Sequence, residues 1–290
     1  MTADHPPQAR LWNQRALIDL LPFAHGDSQV FTALQHDANL NGRVFGGQLV
    51  AQALLAAQRC CSNKHAATLQ CLFLQGALPD SPVSYAVTTL QEGKRFASFH
   101  VSGRQQERRV LDAQVTFHTP MEGFVHVEAA PVVPDPGELL SMTQMRDGDN
   151  ADWGRFEKSC LQLRIVEPQR YLRQTSAEPK LVFWLKLHER LPDEPSLHAA
   201  ALAYLSDFWV NSAAIFRHVP LMEARERLFI ASLNHSVWFH RPCRADQWLL
   251  FVCESPSLQA SRALSHVRIF DESRQLVASA AQDGLISPRH

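Results

Sequence analysis

Three polar side chains in the last third of the chain stand among residues that are mostly apolar. They are Asp207 in Y-L-S-D-F-W-V, Ser232 in I-A-S-L-N-H-S-V-W-F-H-R-P and Gln282 in V-A-S-A-A-Q-D-G. A buried carboxylate, hydroxyl or amide costs free energy unless it is hydrogen bonded. One interpretation is that the three groups hold a water molecule and direct it at an acyl group.

Asp207 falls in a segment that predicts a helix over Ser196–Phe216, introduced by P-D-E-P at residues 192–195. At 3.6 residues per turn it shares a face with mostly small residues. These are Ala200, Ala203, Tyr204, Asn211 and Ala214. The face leaves room beside the carboxylate, although a solvent-exposed aspartate is an alternative that the pattern leaves open.

Alternation along the two strand-like runs gives opposite predictions for the other two residues. Gln282 lies on the face that carries Ala278 and Ala280, so its amide is expected to point inward, toward a site or a strand end. Ser232 alternates with Ile230 and Asn234, and the opposite face is the more apolar. The pattern therefore predicts that Ser232 points outward, unless the strand is covered on both sides or carries a bulge.

The order of predicted elements occurs twice along the chain. Each copy begins with one strand-like run, continues with a helix that is apolar nearly all round, and ends with four strand-like runs. The first copy is predicted as Gln29–Leu34, helix Gly46–Cys61, Ala67–Leu74, Val83–Leu90, Arg95–Gly103 and Arg109–His118. The second is predicted as Leu181–Leu187, helix Ser196–Phe216, Leu228–Phe239, Trp248–Ser255, Ala260–Phe270 and Leu276–Leu285.

A linker is predicted between the two copies, from Pro120 to about Asn150, because this segment contains Pro131, Pro134 and Pro136. One helix followed by a run of antiparallel strands favours an α+β fold in which a curved sheet wraps a central helix. The repeat therefore predicts two such units in one chain.

The composition excludes several classes of function. The 290 residues are 46% apolar and 20% charged with a formal net charge of −1, which gives no electrostatic footprint for nucleic acid and no basic block for an anionic membrane. Neither a membrane-spanning run nor a secretory signal is evident. None of the six cysteines forms a C-x-x-C pair, which is typical of reduced thiols. We therefore expect a cytoplasmic protein.

Four segments resemble the acyl-CoA thioesterase II family. They are R-V-F-G-G-Q-L-V-A-Q-A-L at Arg43–Leu54, Y-L-S-D-F at Tyr204–Phe208, H-S-V-W-F-H-R-P at His235–Pro242 and A-S-A-A-Q-D-G at Ala278–Gly284. They occur in the family's order and at similar spacing over most of the chain. The run H-S-V-W-F-H-R-P is the most specific of them.

The resemblance implies a double hotdog fold, in which two copies of a sheet wrapped around a long helix share one polypeptide. It divides the chain into an N-terminal repeat (1–119), a linker (120–160) and a C-terminal repeat with the catalytic residues (161–290). The family's carboxylate, hydroxyl and glutamine correspond to Asp207, Ser232 and Gln282, which overrules the outward prediction for Ser232. The implied activity is hydrolysis of fatty acyl-CoA to fatty acid and coenzyme A without a cofactor.

Further expectations concern the substrate and the assembly. Gly46 and Gly47 are candidate backbone donors to the oxyanion, because a helix start offers free N–H groups. Arg241 is a candidate contact to a coenzyme A phosphate, and a surface arginine is the alternative. Exposed sheet edges favour a homodimer or a higher homo-oligomer. No metal site is expected, because His235 and His240 fall on opposite faces of a strand.

The chain departs from the family pattern in its first repeat. It has F-L-Q-G-A at residues 73–77 where the family usually shows F-L-R-P-G, and Q-E-G at 91–93 where a basic-acidic-Gly turn is common. The missing arginine puts contacts to the coenzyme A end in question. A non-catalytic acyl-CoA-binding protein on the same fold is therefore one alternative function. A hotdog enoyl-CoA hydratase is another, although no D-x-N-x-x-H pattern is present.

A different catalytic alternative makes Ser232 a nucleophile that is activated by His235 or His240. The chain lacks a G-x-S-x-G motif, which disfavours this alternative. In a regular strand His235 also points to the side opposite Ser232.

Overall fold

The computed structural model describes residues 15–24, 29–39, 41–145 and 160–289. The first half of the chain forms a short helix, two short strands, a long helix and four long strands. In chain order these are α1 (Leu17–Leu20), β1 (Phe23–Ala24), β2 (Val30–Ala33), α2 (Gly46–Arg59), β3 (His65–Phe73), β4 (Val83–Glu92), β5 (Phe96–Gln105) and β6 (Arg108–His118).

The second half repeats this order with three additional short helices. A 3₁₀ turn (Pro136–Glu138) lies in the segment between the halves. The elements that follow are β7 (Leu161–Ile165), α3 (Pro168–Leu172), β8 (Lys180–Leu187), α4 (Pro195–Ser206), α5 (Ser212–Ile215), α6 (Leu221–Arg227), β9 (Leu228–Phe239), β10 (Leu249–Gln259), β11 (Arg262–Phe270) and β12 (Leu276–Pro288).

All twelve strands belong to one antiparallel sheet, and its order makes the repeat explicit. The order is β1-β2-β4-β5-β6-β3-β9-β12-β11-β10-β8-β7. The first half thus arranges its strands as β2-β4-β5-β6-β3, and the second half arranges the equivalent strands as β8-β10-β11-β12-β9. The two halves join where β3 pairs with β9. The predicted strands are confirmed, with ends that differ by a few residues.

The two central helices are buried because they are apolar on nearly every side. In α2, eleven consecutive residues from Gly47 to Ala57 are buried. The N-terminus of α2 lies beside the C-terminus of α4, since a Cβ on Gly47 would stand 2.3 Å from the carbonyl oxygen of Tyr204. Helix α2 packs on the first half of the sheet, and α4 lies over the strands β3 and β9 where the halves join. There are two main apolar cores, and each helix contributes residues to both.

The predicted linker packs on the outer face of the second half of the sheet. Ala130, Val133 and Leu139 contact a third apolar cluster that is centred on Trp184. The indole Nε1 of Trp184 donates to the carbonyl oxygen of Pro134 at 3.0 Å. The proline-rich segment therefore covers apolar residues of the sheet that would otherwise be exposed to water.

The prediction of one continuous helix over Ser196–Phe216 is wrong. Helix α4 ends at Ser206, Asp207 is its C-cap, and Trp209 has a φ of 59° that no right-handed helix contains. The break stacks the rings of Phe208 and Trp209 in parallel and packs both against Phe183. Because this stretch is apolar on all sides, its periodicity carried no signal for the break.

Candidate active site

The carboxylate of Asp207 lies where the two central helices meet. As the C-cap of α4, it faces the N-terminus of α2, and the backbone N–H of Gly47 donates to it. The Cα of Gly46 is so close that a Cβ would stand 2.8 Å from Asp207 Oδ2. The glycine pair therefore permits the contact, and the positive end of the α2 dipole favours a negative charge here.

Gln282 connects the other two predicted residues. It lies on the inward face of β12 with only 1% of its surface exposed. Its Nε2 donates to Asp207 Oδ1 and to Ser232 Oγ, at 2.6 Å in each case. The sequence prediction that Gln282 points inward is confirmed, and the three groups converge as the resemblance implied.

Ser232 reaches the site because β9 carries a bulge. Gln282 pairs with His235 and Asp283 with Asn234, but Gly284 pairs with Ser232, so Leu233 is an extra residue in the ladder. One extra residue reverses the alternation of all residues before it. The prediction from simple alternation that Ser232 points outward is therefore wrong. The reason is a bulge, which was the stated exception to that prediction.

The bulge also corrects the prediction for His235. His235 and Ser232 point to the same side of β9, but His235 Nε2 is hydrogen bonded to Ser206 Oγ at 2.8 Å. Burial lowers the pKa of His235 to about 3, so the ring is neutral. His240 is hydrogen bonded to Ser279 at 2.8 Å. Neither contact supports a serine nucleophile that is activated by histidine.

Burial raises the pKa of Asp207 to about 7. The hydrogen bonds from Gln282 and Gly47 act in the opposite direction, because they favour the charged carboxylate, but they are the smaller effects. A carboxylate with this pKa is half ionised near neutral pH, which is where a general base works best. The electrostatics of the site therefore suit proton abstraction from water.

A cavity of about 720 Å³ opens beside these residues. Among the residues that the structure describes, its lining is mostly apolar, with Asp207 as the single carboxylate and three arginines. The lining includes Arg43, Gly46, Leu49, Phe73, Trp209, Asn211, Arg225, Ser232 and Arg289. A cavity of this composition suits a ligand that has both an apolar part and an anionic part.

Two of the three predicted substrate-binding residues are not placed as expected. Gly46 lines the cavity, but Gly47 donates its N–H to the Asp207 carboxylate and is not among the lining residues. Arg241 is exposed beyond the far end of β9 and donates to Gln275 Oε1 at 3.3 Å. Because Ser232 lies near the other end of this strand, the structure does not bring Arg241 to the site.

The sequence did not single out the three arginines that line the cavity. They are Arg43, Arg225 and Arg289. Arg43 had a signal, since it begins the motif R-V-F-G-G-Q. The other two had none, because only the folded chain brings α6 and the end of β12 to one cavity. Asn211, which the helical periodicity placed on the face of Asp207, also lines the cavity.

Within the part of the chain that the structure describes, no group of three or more His, Cys, Asp or Glu is placed to hold a metal ion. Among those same residues, no helix has both the length and the apolar character that crossing a bilayer requires.

Comparison with known proteins assigns the chain to a family. A family model described as "Acyl-CoA thioesterase" matches residues 160–285, and one described as "Acyl-CoA thioesterase N-terminal domain" matches residues 35–118. Acyl-coenzyme A thioesterase 8 of Homo sapiens is 31% identical over 84% of this chain and 80% of its own length. The chain belongs to the acyl-CoA thioesterase family.

Other members of the family agree in length and fold. Acyl-CoA thioesterase 2 of Haemophilus influenzae is 29% identical, over 93% of this chain and 96% of its own. The crystal structure of the acyl-CoA thioesterase II TesB2 from Mycobacterium marinum superposes with a TM-score of 0.79 at 29% identity. That alignment covers 94% of this chain and 99% of the other. The predicted double hotdog fold is confirmed.

Proposed function

We propose that this chain hydrolyses fatty acyl-CoA to free fatty acid and coenzyme A by a water molecule that Asp207 activates. The observation that carries the proposal is the pair of 2.6 Å hydrogen bonds from Gln282, one to Asp207 and one to Ser232. These bonds hold a carboxylate and a hydroxyl side by side at the wall of an amphipathic cavity. Membership of the family supports the choice of substrate.

The proposed reaction is a direct hydrolysis with no acyl-enzyme. The water oxygen attacks the thioester carbonyl carbon while Asp207 accepts one of its protons. Collapse of the tetrahedral intermediate breaks the carbon–sulfur bond, and the proton passes to the departing thiolate. General base catalysis of this kind contributes ~10²–10⁴-fold, and positioning of the water by Ser232 and Gln282 adds to it.

The negative charge that develops on the carbonyl oxygen needs hydrogen-bond donors. Of the two predicted donors, Gly46 and Gly47, only Gly46 remains a candidate to donate to the oxyanion. Its backbone lines the cavity at the start of α2, where N–H groups lack partners within the helix. Gly47 is assigned to the carboxylate instead, so it serves the base rather than the oxyanion.

Asp207→Asn tests the proposal directly. The amide has the same shape and still lies beside Gln282, but it does not accept a proton from water. We expect loss of thiol release from acyl-CoA by at least ~10²-fold, with an unchanged circular dichroism spectrum. Turnover near that of the wild type would refute the role of Asp207.

Product analysis separates the alternatives. Hydrolysis of a saturated acyl-CoA must yield equal amounts of fatty acid and free thiol. Binding of acyl-CoA without thiol release by the unmodified protein would indicate a non-catalytic binding protein. Conversion of an enoyl-CoA to a hydroxyacyl-CoA would indicate a hydratase.

The division into repeats at residues 1–119 and 161–290 with a linker at 120–160 is part of the same proposal. The two apolar cores and the two family-model matches support it. Expression of residues 161–290 alone is expected to give an insoluble or inactive product, because α4 would lose its contact with α2.

We also propose a cytoplasmic homo-oligomer. All six cysteines are free, which fits a reducing compartment. Within the described part of the chain, the edge strands β1 and β7 each have one unpaired side that a second copy is able to cover. Light scattering during gel filtration measures the mass, and a monomer at micromolar concentration would contradict the assembly. Fractionation of cells tests the compartment.

A further inference from the structure

Three arginines converge on the cavity from separate parts of the chain. Arg43 precedes α2, Arg225 lies in α6 and Arg289 follows β12, and all three line the cavity with exposed side chains. We propose that Arg43, Arg225 and Arg289 bind the phosphate groups of the coenzyme A half of the substrate. This inference rests on the proposed function and specifies which end of the substrate lies at these residues.

The charge balance of the cavity favours an anionic ligand. Other arginines of this chain pair with carboxylates, including Arg170, Arg227, Arg244, Arg268 and Arg274. Across residues 15–24, 29–39, 41–145 and 160–289, no carboxylate lies within ion-pair distance of the three cavity arginines. Among those described residues, nothing neutralises their charges, and Asp207 is the one carboxylate that lines the cavity.

Hydrogen bonds to Asn39 fix the backbone of Arg43, and its side chain lies against Gly76. Its N–H donates to Asn39 Oδ1 at 3.1 Å, and its carbonyl oxygen accepts the N–H of Asn39. Its side chain crosses Gly76, where a Cβ would stand only 3.1 Å from Arg43 Cδ. A larger residue at position 76 would crowd the Arg43 side chain, so Gly76 leaves room for it.

Arg289 is also oriented by backbone contacts. Its Nε donates to the carbonyl oxygen of Leu228 at 2.9 Å, and its N–H donates to the carbonyl oxygen of Arg227 at 2.8 Å. These bonds leave both terminal nitrogens of the guanidinium for a ligand. Arg225 approaches from α6 beside Ala224, which also lines the cavity.

The chemistry of coenzyme A matches this arrangement. A guanidinium donates two parallel hydrogen bonds to a phosphate, and coenzyme A carries a pyrophosphate and a ribose 3′-phosphate. The lining also includes apolar side chains, among them Leu49, Phe73 and Trp209. The nucleotide therefore lies at the arginines, and the thioester lies at Asp207.

The test compares one acyl group on two carriers. Arg43→Ala, Arg225→Ala and Arg289→Ala are assayed with acyl-CoA and with the same acyl group on pantetheine, which lacks the nucleotide and its phosphates. We expect kcat/KM for acyl-CoA to fall about tenfold for each variant, through KM. For acyl-pantetheine we expect no change.

Arg241→Ala is the matched control, because it removes an exposed arginine that lies away from the cavity. It is expected to behave as the wild type with both carriers. Equal losses with both carriers, or no loss with either, would overturn the arginine subsite. Titration of the wild type and the triple variant with coenzyme A and inorganic phosphate gives the same comparison without turnover. A wild type that hydrolyses neither thioester would refute the proposed function instead.

Discussion

Gly46 and Asp207 are in such close contact that position 46 has no room for a side chain. A Cβ on Gly46 would lie 2.8 Å from Asp207 Oδ2 and 3.1 Å from the ring of Phe73. The carboxylate is fixed at this point by hydrogen bonds from Gln282 and Gly47. The motif F-G-G-Q of the first repeat therefore helps to build a site whose proposed general base comes from the second repeat.

Gly46→Ala is expected to displace the Asp207 carboxylate and to lower kcat. A misplacement of about 1 Å at a reacting group costs roughly 10²-fold in rate. The matched control is Gly137→Ala, because a Cβ at that exposed position meets nothing within 4 Å. Steady-state kinetics on both variants checks the prediction, and equal rates would show that the contact is not needed.

The pH–rate profile is expected to follow the ionisation of Asp207. Only the deprotonated carboxylate accepts a proton, so kcat/KM should rise with pH and reach half its maximum near the pKa of about 7. Initial rates of thiol release from pH 5 to 9, corrected for spontaneous hydrolysis, measure the curve. A profile that is already flat at pH 5 would contradict the raised pKa.

Asp207 is also expected to make stability depend on pH. Its pKa rises from 3.8 in the unfolded chain to about 7 in the folded protein, so the folded state binds the proton more tightly. The stability that this tighter proton binding contributes is fully present below the unfolded pKa of 3.8, and it is lost as the pH rises through the folded pKa of about 7. The loss amounts to at most about 4 kcal/mol in the free energy of unfolding.

Asp207→Asn removes this titration, so the variant is expected to be more stable than the wild type at pH 8 but not at pH 4. Urea unfolding of both proteins at the two pH values measures the difference in their free energies of unfolding. The contributions of the other titrating groups are the same in both proteins and cancel in this difference. An equal stability difference at both pH values would contradict the prediction.

Gln282 and Ser232 are expected to differ in their effect on the pH profile. The N–H of Gln282 lowers the pKa of Asp207, so Gln282→Ala should shift the half-maximal rate to higher pH and lower the rate by about 10–100-fold. Ser232→Ala removes the hydroxyl that is proposed to position the water, and it should lower the rate without the shift.

Ser232→Thr is the control for this pair, because it keeps the hydroxyl that accepts from Gln282. It should retain most of the activity that Ser232→Ala loses. Identical pH midpoints for Gln282→Ala and Ser232→Ala would show that Gln282 does not act through the carboxylate.

The chain's local patterns were sufficient to predict most of the fold. The repeated order of strand, apolar helix and four strands follows from periodicity, since alternation and a helical apolar face both reflect burial. The inward direction of Gln282 followed in the same way. The break after Ser206 did not, because it depends on the packing of Phe208 and Trp209 against the distant Phe183.

The sequence by itself determined most of the elements, their repetition and the identity of the three polar residues. Only the tertiary structure decided which faces of the helices and strands meet. The bulge at Leu233 turns Ser232 inward, and it is visible only in the pairing of β9 with β12. The arginines of the cavity come from segments far apart in the chain, whereas Arg241 lies elsewhere. Spacing along a sequence records local periodicity, and the distance between remote segments is fixed only when the chain packs.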